Sequence, residues 1–197
     1  MKQALSRELF DYWNALRGTR SAPMRDDIDP GAIRNRLQDI FLFSFDTQAG
    51  HPFRLAGSSV CALFDRELKG RAFAGLWSPI SQPRIEELLN NVAADKVGAV
   101  AHVIGRNLEN EHLDLEMILL PLINEDGDTS RLLGGLAAVG APYWIGTRPI
   151  AAIDLEDLRY VGPTIDPARP SRLMSGQTSP LRSAGFVIYP AQNRRAI

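Results

Sequence analysis

The sequence contains few residues whose types and spacing could carry bond-making chemistry. Its single cysteine, Cys61, lies in the segment "SSVCALF", with no histidine nearby in the sequence. A reactive thiol needs an adjacent base or a positively charged environment that favours the thiolate. Because the local sequence supplies neither, we interpret Cys61 as a buried structural thiol, which is a common state of cysteine.

The histidines could bind a metal ion, but their positions do not predict a metal site. We expect His51 in a turn, His102 in the middle of a strand and His112 at the start of a strand. No two of them have a spacing such as i, i+4, and no cysteine accompanies them. We therefore interpret them as structural residues and predict no metal.

A pair of carboxylates, Asp114 and Glu116, would share one face of a strand. Paired carboxylates can perform acid–base catalysis. Between Leu113 and Met117, however, the acids alternate with apolar residues, a pattern typical of a half-buried antiparallel strand. We therefore predict that both carboxylates lie on the solvent face of that strand and are not catalytic.

No motif for nucleotide or nucleic-acid chemistry is visible. The pair Gly134–Gly135 lacks the Lys-Ser/Thr that completes a phosphate loop, and we interpret it as a place where a helix packs closely across a strand. The sequence contains no cyclase motif and no helix-turn-helix beside a basic patch. We therefore assign no catalytic residue.

The composition indicates which classes of protein the sequence can belong to. The chain has 197 residues, of which 45% are hydrophobic, enough for one domain of common size with an extension. With 22 basic and 23 acidic side chains, it has no global attraction for nucleic acid or anionic membranes. A single cysteine fits a reducing compartment, and neither a signal peptide nor a run of ~18 apolar residues is present. We predict a cytoplasmic protein that binds neither nucleic acid nor membrane.

The first element that would position these residues is an amphipathic N-terminal helix that ends near Gly18. Its apolar face carries large side chains at helical spacing: Leu9, Tyr12, Trp13 and Leu16. A second, short helix is predicted to begin at Asp29-Pro30 and to reach about Leu37. Together they make residues 1–38 an N-terminal helical extension.

Residues 39–145 are predicted to form a sheet with helices inserted into its sequence. Apolar segments at 40–45 and 53–56 predict a hairpin, followed by a short helix and then a long helix that begins near Pro83. Three further strands complete the sheet. Because hairpins join the strands, the sheet should be antiparallel, which makes the fold class α+β.

Residues 146–197 have a different character, and we predict a mostly disordered tail that contains proline and arginine. Two segments are exceptions. "AAIDLEDLRYVG" could form a short helix or an arm. "AGFVIYP" could add a strand to an exposed sheet edge, on this protein or on a partner.

The stretch "FRLAGSSVCALFDRELKGRAFAGLW", from Phe53 to Trp77, resembles the core signature of stand-alone bacterial PAS-like proteins. In that family an Asp-Pro helix, here "DIDPGAIRNRLQDIFLF", leads into the first strand. The second strand ends with an arginine and an Ala-Gly pair, here Arg54 and Ala56-Gly57. A Gly-Arg-Glu-Leu-x-Gly box follows, in which Asp65 replaces the first glycine, so we expect a less tight turn there. The resemblance covers roughly residues 5–142.

This resemblance implies a PAS-type five-stranded antiparallel sheet with a helical insert after the second strand, and a non-enzymatic signalling regulator. PAS domains hold a small molecule between sheet and helices, bind a partner protein, or do both. The candidate pocket residues are Phe43, Phe53, Leu55, Leu63, Phe64, Trp77, Leu88 and Met117. The alternative is a small α+β enzyme, a hydrolase or an isomerase, that uses the same cavity. A buried histidine–carboxylate pair would favour that alternative.

The resemblance also shapes the expected cofactors and partners. Haem-binding PAS proteins place their iron ligand on the long helix, which here has no histidine, and "SSVCALF" does not resemble the flavin motif of light-sensing PAS domains. We therefore expect no cofactor, although an unidentified small-molecule ligand fits the family. The expected partners are a signalling protein and a second copy of the chain. The homodimer would form through the apolar face of the N-terminal helix, and packing of that face within the chain is the alternative.

Overall fold

A computed structural model describes residues 1–140 and 146–162, together with the backbone of two short strands at 181–183 and 186–190. The helices are α1 (Ala4–Arg17), α2 (Ser58–Leu63) and α3 (Gln82–Asp95). Short 3-10 helices cover Arg25–Asp27, Arg34–Asp39 and Phe73–Leu76. The strands are β1 (Ile40–Ser44), β2 (Phe53–Ala56), β3 (Gly98–Arg106), β4 (His112–Ile123), β5 (Thr129–Ala138), β6 (Ala152–Gly162), β7 (Leu181–Ser183) and β8 (Phe186–Pro190).

All strands belong to one antiparallel sheet with the order β2-β1-β5-β4-β3-β6-β8-β7. The helical segment from α2 to α3 connects β2 to β3, as expected for the insert after the second strand. The predicted α+β class and the antiparallel hairpin connections are therefore confirmed.

The sheet extends beyond the five predicted strands, because residues 152–162 form β6 and not part of a tail. β6 pairs with β3 along its whole length, from Arg106↔Ala152 to Gly98↔Val161. It contributes buried apolar side chains at Ile153, Leu155, Leu158 and Tyr160. The segment predicted to add to a sheet edge forms β8, whose backbone pairs with β6 of the same chain. Of the predicted tail, residues 163–180, 184–185 and 191–197 lie outside the part of the chain that the structure describes.

The helical connection covers one face of the sheet, here called the inner face. α3 places Ile85, Leu88, Leu89 and Val92 against it, all of them 1% exposed or less. The sequence predicted a long helix in this region, beginning near Pro83, and these apolar residues recur along it as a stripe at i, i+3, i+4 and i+7. Since the stripe spans consecutive turns of one helix face, its burial anchors α3 over the middle of the sheet.

Helix α1 covers the opposite face, here called the outer face. Leu9 and Trp13 are 1% exposed or less, whereas Tyr12 and Leu16 are half-buried. The indole Nε1 of Trp13 donates a hydrogen bond to the carbonyl oxygen of Pro121 on β4, over 2.8 Å. The apolar face of α1 is thus packed within the chain, which was the alternative to dimer contacts.

The glycine pair of β5 allows close approach on both faces of the sheet. A Cβ built on Gly135 would lie 3.1 Å from the Leu5 side chain of α1, which agrees with the predicted packing of a helix across the strand. A Cβ built on Gly134 would lie 2.2 Å from the ring of Phe41 on the inner face. Each glycine therefore makes room for a large side chain.

The short helix predicted at residues 29–37 takes a different form. Asp29 Oδ1 accepts a hydrogen bond from the backbone N–H of Gly31 over 2.8 Å, which makes a local turn, and the regular helix is the 3-10 helix Arg34–Asp39. A short polar side chain that bonds the backbone two residues later favours a turn over a helix start.

None of the described helices combines the length with the apolarity that crossing a membrane requires.

Candidate functional site

The inner face brings most of the candidate pocket residues together in one hydrophobic core. Six of them are 4% exposed or less: Phe43, Phe53, Phe64, Trp77, Leu88 and Met117. Leu63 is half-buried at the edge of this core. With Leu55 as the exception, these residues lie in the core between sheet and helices, and their binding of a ligand stays a prediction.

Aromatic rings occupy the centre of that space. The rings of Phe43 and Phe73 stack with centroids 4.5 Å apart, and Phe53 meets Phe73 edge-on at 5.7 Å. Phe41 and Trp77 extend the cluster, each within 6 Å of Phe73. We call these five residues the aromatic core. Sequence reasoning missed Phe41 and Phe73, although the apolar run at residues 40–45 and the "GRAFAGLW" segment contained the signal.

Leu55 does not face the core, and its side chain is 46% exposed. The register between β1 and β2 passes from Phe43↔Phe53 to Leu42↔Leu55, so β2 carries one extra residue, Arg54. Such a bulge turns the residues that follow it to the other face of the sheet. Regular alternation would place Leu55 on the same face as Phe53, and the bulge is the reason why it lies on the other face.

The family-like signature around residues 53–77 builds the scaffold of this region. The chain after the box returns antiparallel to β2, with the N–H of Gly70 bonding the carbonyl of Phe53 over 2.8 Å and the N–H of Phe53 bonding the carbonyl of Arg71 over 2.9 Å. Gly57 must lack a side chain, because a Cβ there would lie 2.2 Å from the carbonyl oxygen of Leu37. The signature positions backbone and does not assemble reactive groups.

Asp65 takes the place that the resemblance gives to glycine, and it adopts a left-handed conformation with φ +48°. The backbone therefore keeps a geometry that glycine adopts without strain. The turn is formed in spite of the substitution, in contrast to the expectation of a looser turn.

The Cys61 thiol lies next to two hydrogen-bond acceptors, and neither of them is a histidine. Its S–H points to the carbonyl of Ala56 at 3.9 Å and to Glu67 Oε1 at 3.8 Å. The residue is half-buried, which is more exposed than the sequence interpretation assumed. In the described part of the chain, its hydrogen-bond partners are thus a backbone carbonyl and a carboxylate, and neither an imidazole nor a cationic group is among them.

His51 is fully buried, and Glu86 lies beside it. The backbone N–H of Asp46 donates to Nδ1 over 3.2 Å, so the ring proton lies on Nε2 and is shared with Glu86 Oε2 at 3.2 Å. Both ring nitrogens therefore have protein partners, and the imidazole has no free nitrogen for a substrate. The pair fixes the turn between β1 and β2, where His51 has φ +61°.

The other histidines lie apart from the core. His102 Nε2 is 2.7 Å from Asp114 Oδ1 on the neighbouring strand, and both side chains are more than 40% exposed. His112 is exposed at the start of β4. Within the described residues no group of three or more His, Cys, Asp or Glu side chains could hold a metal ion.

Glu116 does not lie on a solvent face, and that prediction was wrong. Its side chain is covered by the N-terminal turn of α1, which leaves the residue 7% exposed. Glu116 Oε2 accepts the backbone N–H of Lys2 over 2.7 Å, and Oε1 accepts that of Gln3 over 2.9 Å. The carboxylate therefore satisfies the N–H groups of the two residues that precede α1, and it complements the positive end of the helix dipole.

A cleft of about 420 Å³ opens beside this turn, and we call it the helix cleft. Its lining comes from α1, the 3-10 helix before β1, α2 and the end of β5. The lining residues are Gln3, Ala4, Leu5, Arg36, Asp39, Ser59, Ala62, Leu63, Leu136, Ala137, Ala138 and Gly146. Of the candidate pocket residues, Leu63 belongs to it.

A polar cluster around Asp154 joins α3 to β6. The hydroxyl of Ser78 donates to Asp154 Oδ1, Ser81 donates to the same oxygen over 3.3 Å, and Arg106 Nε donates to Oδ2 over 3.1 Å. The hydrogen bond from Ser78, aided by Arg106 and Ser81, holds the pKa of this carboxyl below its usual range, and burial opposes that shift. The ionised carboxylate is thus part of the native packing.

A family model described as "PAS domain" matches residues 1–137, which is more than two thirds of the chain. The chain belongs to the PAS domain family. The match includes α1, so the helix over the outer face lies within the matched region of this PAS domain. No curated protein sequence matches the chain.

Solved structures similar to this PAS domain include several LOV domains. The dark structure of the blue-light photoreceptor Aureochrome1 LOV is 16% identical with a TM-score of 0.45, over 57% of this chain and 83% of that chain. The Rhodobacter sphaeroides LOV protein is 13% identical with a TM-score of 0.45, over 55% and 65%. The LOV domain of a blue-light activated histidine kinase from Erythrobacter litoralis is 13% identical with a TM-score of 0.41, over 52% and 96%.

Proposed function

We propose that this PAS domain is a non-enzymatic signalling regulator that binds a partner protein, with α1 as the element that responds. The observation that carries the proposal is the attachment of α1 to the outer face by Glu116. The helix covers apolar side chains of the sheet, Ile118, Leu120 and Leu133, which are 2% exposed or less. Displacement of α1 would uncover a contiguous apolar surface, and such surfaces bind proteins.

The aromatic core favours partner binding over a ligand held in the interior. Rings at stacking and edge-on distances fill the space between Phe43, Phe53 and Trp77. A ligand there would have to displace rings whose burial stabilises the fold, at about 1.5–3 kcal/mol for each side chain. In this proposal the candidate pocket residues of the inner face form a rigid core, and a small molecule would be sensed in the helix cleft.

The enzyme alternative is less well supported. The pair of His51 and Glu86 comes near the sequence criterion for an enzyme, but only its histidine is buried, and both imidazole nitrogens are already bound to protein groups. A general base needs a free nitrogen within reach of the substrate proton. Cys61 has a carboxylate and a carbonyl as its neighbours and no imidazole. These contacts favour structural roles for both residues.

The partner can be a signalling protein or a second copy of the chain. A displaced α1 would present Leu9 and Trp13, the same side chains that the sequence assigned to a homodimer. We place this activity in the cytoplasm because a single cysteine fits a reducing compartment.

The test compares Glu116→Gln with Asp114→Asn, which removes a half-exposed carboxylate on the same face of the same strand. Glutamine presents an amide NH₂ to the N–H groups of Lys2 and Gln3 and should loosen α1, which faster hydrogen exchange of the α1 amides would report. Each variant is purified from the organism that naturally makes the protein, and native mass spectrometry should show more bound partner for Glu116→Gln than for Asp114→Asn. Equal partner occupancy in spite of loosened α1 amides would overturn the proposal.

A further inference from the structure

The helix cleft joins parts of the fold that belong to different layers. Its floor is the end of β5, from Leu136 to Ala138, which lies beyond the last β5 residue that pairs with β1, Gly135. One wall is the first turn of α1, and the other is α2 with the 3-10 helix before β1. A volume of about 420 Å³ is within the range of clefts that bind small molecules.

The walls of the helix cleft are mainly apolar. Leu5, Leu63 and Leu136 contribute the large side chains, and alanines of α1, α2 and β5 fill the space between them. Apolar walls with a few polar groups are typical of sites that take a compact organic molecule. The polar side chains of the cleft then determine which polar group of a ligand can bind there.

The charged side chains of the helix cleft are not equivalent. Arg36 is engaged in a bidentate pair with Glu8, with Nε to Oε2 at 2.7 Å and Nη2 to Oε1 at 2.6 Å. Asp39 also lines the cleft, and its charge acts on that of Arg36. Within the described part of the chain its carboxylate accepts no side-chain hydrogen bond and forms no ion pair within 4 Å. Since both guanidinium donors of this pair already bond Glu8, the Asp39 carboxylate keeps acceptor positions that a ligand can use.

We propose that the helix cleft binds a small molecule that carries a primary amine on an apolar body. The ammonium group would donate to Asp39, and the body would lie against Leu5, Leu63 and Leu136. A charge-assisted hydrogen bond at the edge of an apolar cleft supplies both affinity and orientation. An acid of the same shape would meet the unpaired carboxylate and be repelled.

The position of the helix cleft links this ligand to α1. Gln3 lines the cleft and also donates its backbone N–H to Glu116, while Ala137 on the floor is the register partner of Glu116. Arg36 lines the cleft and holds Glu8 of α1. The ligand would therefore contact Gln3 and Arg36, which take part in two of the contacts that hold α1. That the ligand regulates α1 rests on the proposed function, whereas the binding of the ligand in the helix cleft does not.

The test titrates the full chain with phenethylamine and with phenylpropionate, an acid with a similar body, and follows amide chemical shifts by NMR. The amine should shift the amides of Gln3, Leu63 and Ala137, and the acid should not. Asp39→Asn should weaken amine binding by roughly tenfold to a hundredfold, which is the loss of one charged hydrogen bond. Asp126→Asn, at an exposed turn residue, should leave the affinity unchanged.

A second pair of variants tests the location independently of charge. Ala62→Phe fills the helix cleft from an exposed position of α2 and should abolish amine binding, whereas Ala94→Phe, at an exposed position of α3, should not. Absence of amine binding at millimolar concentration, equal binding of amine and acid, or unchanged binding by Asp39→Asn would each overturn the inference. Those outcomes leave the Glu116→Gln comparison intact, so the two proposals fail separately.

Discussion

The ring of Phe41 lies directly against Gly134, so close that a Cβ atom on the glycine would be 2.2 Å from two ring carbons. The two residues are register partners across β1 and β5. The ring cannot simply move away, because it also packs against Phe43 and Phe53 with centroids 6.0 Å and 5.7 Å distant. The contact therefore ties the packing of the aromatic core to the absence of one methyl group.

We expect Gly134→Ala to destabilise the protein by about 1–3 kcal/mol, because the added methyl group must displace a ring of a well-packed core. Urea denaturation measures the change. Gly75→Ala is the matched control, since a Cβ there meets nothing within 4 Å, and it should stay within about 0.5 kcal/mol of the parent. A Gly134→Ala variant as stable as Gly75→Ala would show that the ring of Phe41 moves freely.

Asp65→Gly should stabilise the protein by about 0.5–1 kcal/mol, because glycine adopts the left-handed conformation at φ +48° without the strain of a side chain. Thermal unfolding would show a higher midpoint. Asp126→Gly is the control at an exposed turn residue outside the left-handed region, and it should lower the midpoint, since it only adds freedom to the unfolded chain. If both substitutions changed the unfolding midpoint equally, Asp65 would not be strained in the native backbone.

The stability contributed by Asp154 should depend on pH in a defined direction. Because Ser78, with Arg106 and Ser81, lowers the pKa of this carboxyl in the folded protein, its contribution is present above the unfolded value of about 3.9 and is lost as pH falls through the folded pKa. The difference in unfolding free energy between the parent and Asp154→Asn should thus be constant near neutral pH and shrink in acid. Ser78→Ala should weaken this dependence, and a difference that grows in acid would refute the assignment.

Truncations should locate the end of the folded unit. A chain that stops after Ala151 lacks β6, exposes the edge of β3 and loses the buried side chains of Ile153 and Leu155, so it should not give a cooperative unfolding transition. A chain that stops after Gly162 should keep the thermal midpoint of the full chain within a few degrees. Calorimetry measures the thermal unfolding of both truncated chains. A large drop in the midpoint of the chain that stops after Gly162 would place β8 in the stable core.

The elements with local periodicity were predicted correctly from the sequence. The apolar stripe of α3 and the alternating apolar residues Leu113, Leu115 and Met117 each repeat at a regular spacing, and the structure buries these apolar side chains, although it also buries Glu116. In β6 the pattern is interrupted, because Glu156 is an extra residue between Leu155↔Val103 and Asp157↔His102. That bulge puts two buried leucines three positions apart, which suggests a helix more than a strand.

The candidate site contains errors of a different origin. A bulge at Arg54 turns Leu55 outward, and no feature of the sequence fixes the position of that bulge. Glu116 is buried by residues more than 110 positions away, so its surroundings cannot be inferred from its neighbours in β4. Both errors arise where pairing or tertiary contacts override a local pattern.

The attachment of α1 has a consequence for the synthesis of the chain on the ribosome. Trp13 and its hydrogen-bond acceptor Pro121 are 108 residues apart, so the helix leaves the ribosome long before its docking surface on β4 and β5 exists. During that interval Leu9, Phe10 and Trp13 have no sheet to cover, and such apolar segments are the targets of chaperones and of misassembly. The nascent chain is therefore most vulnerable to aggregation while its first helix waits for the β4–β5 hairpin to form.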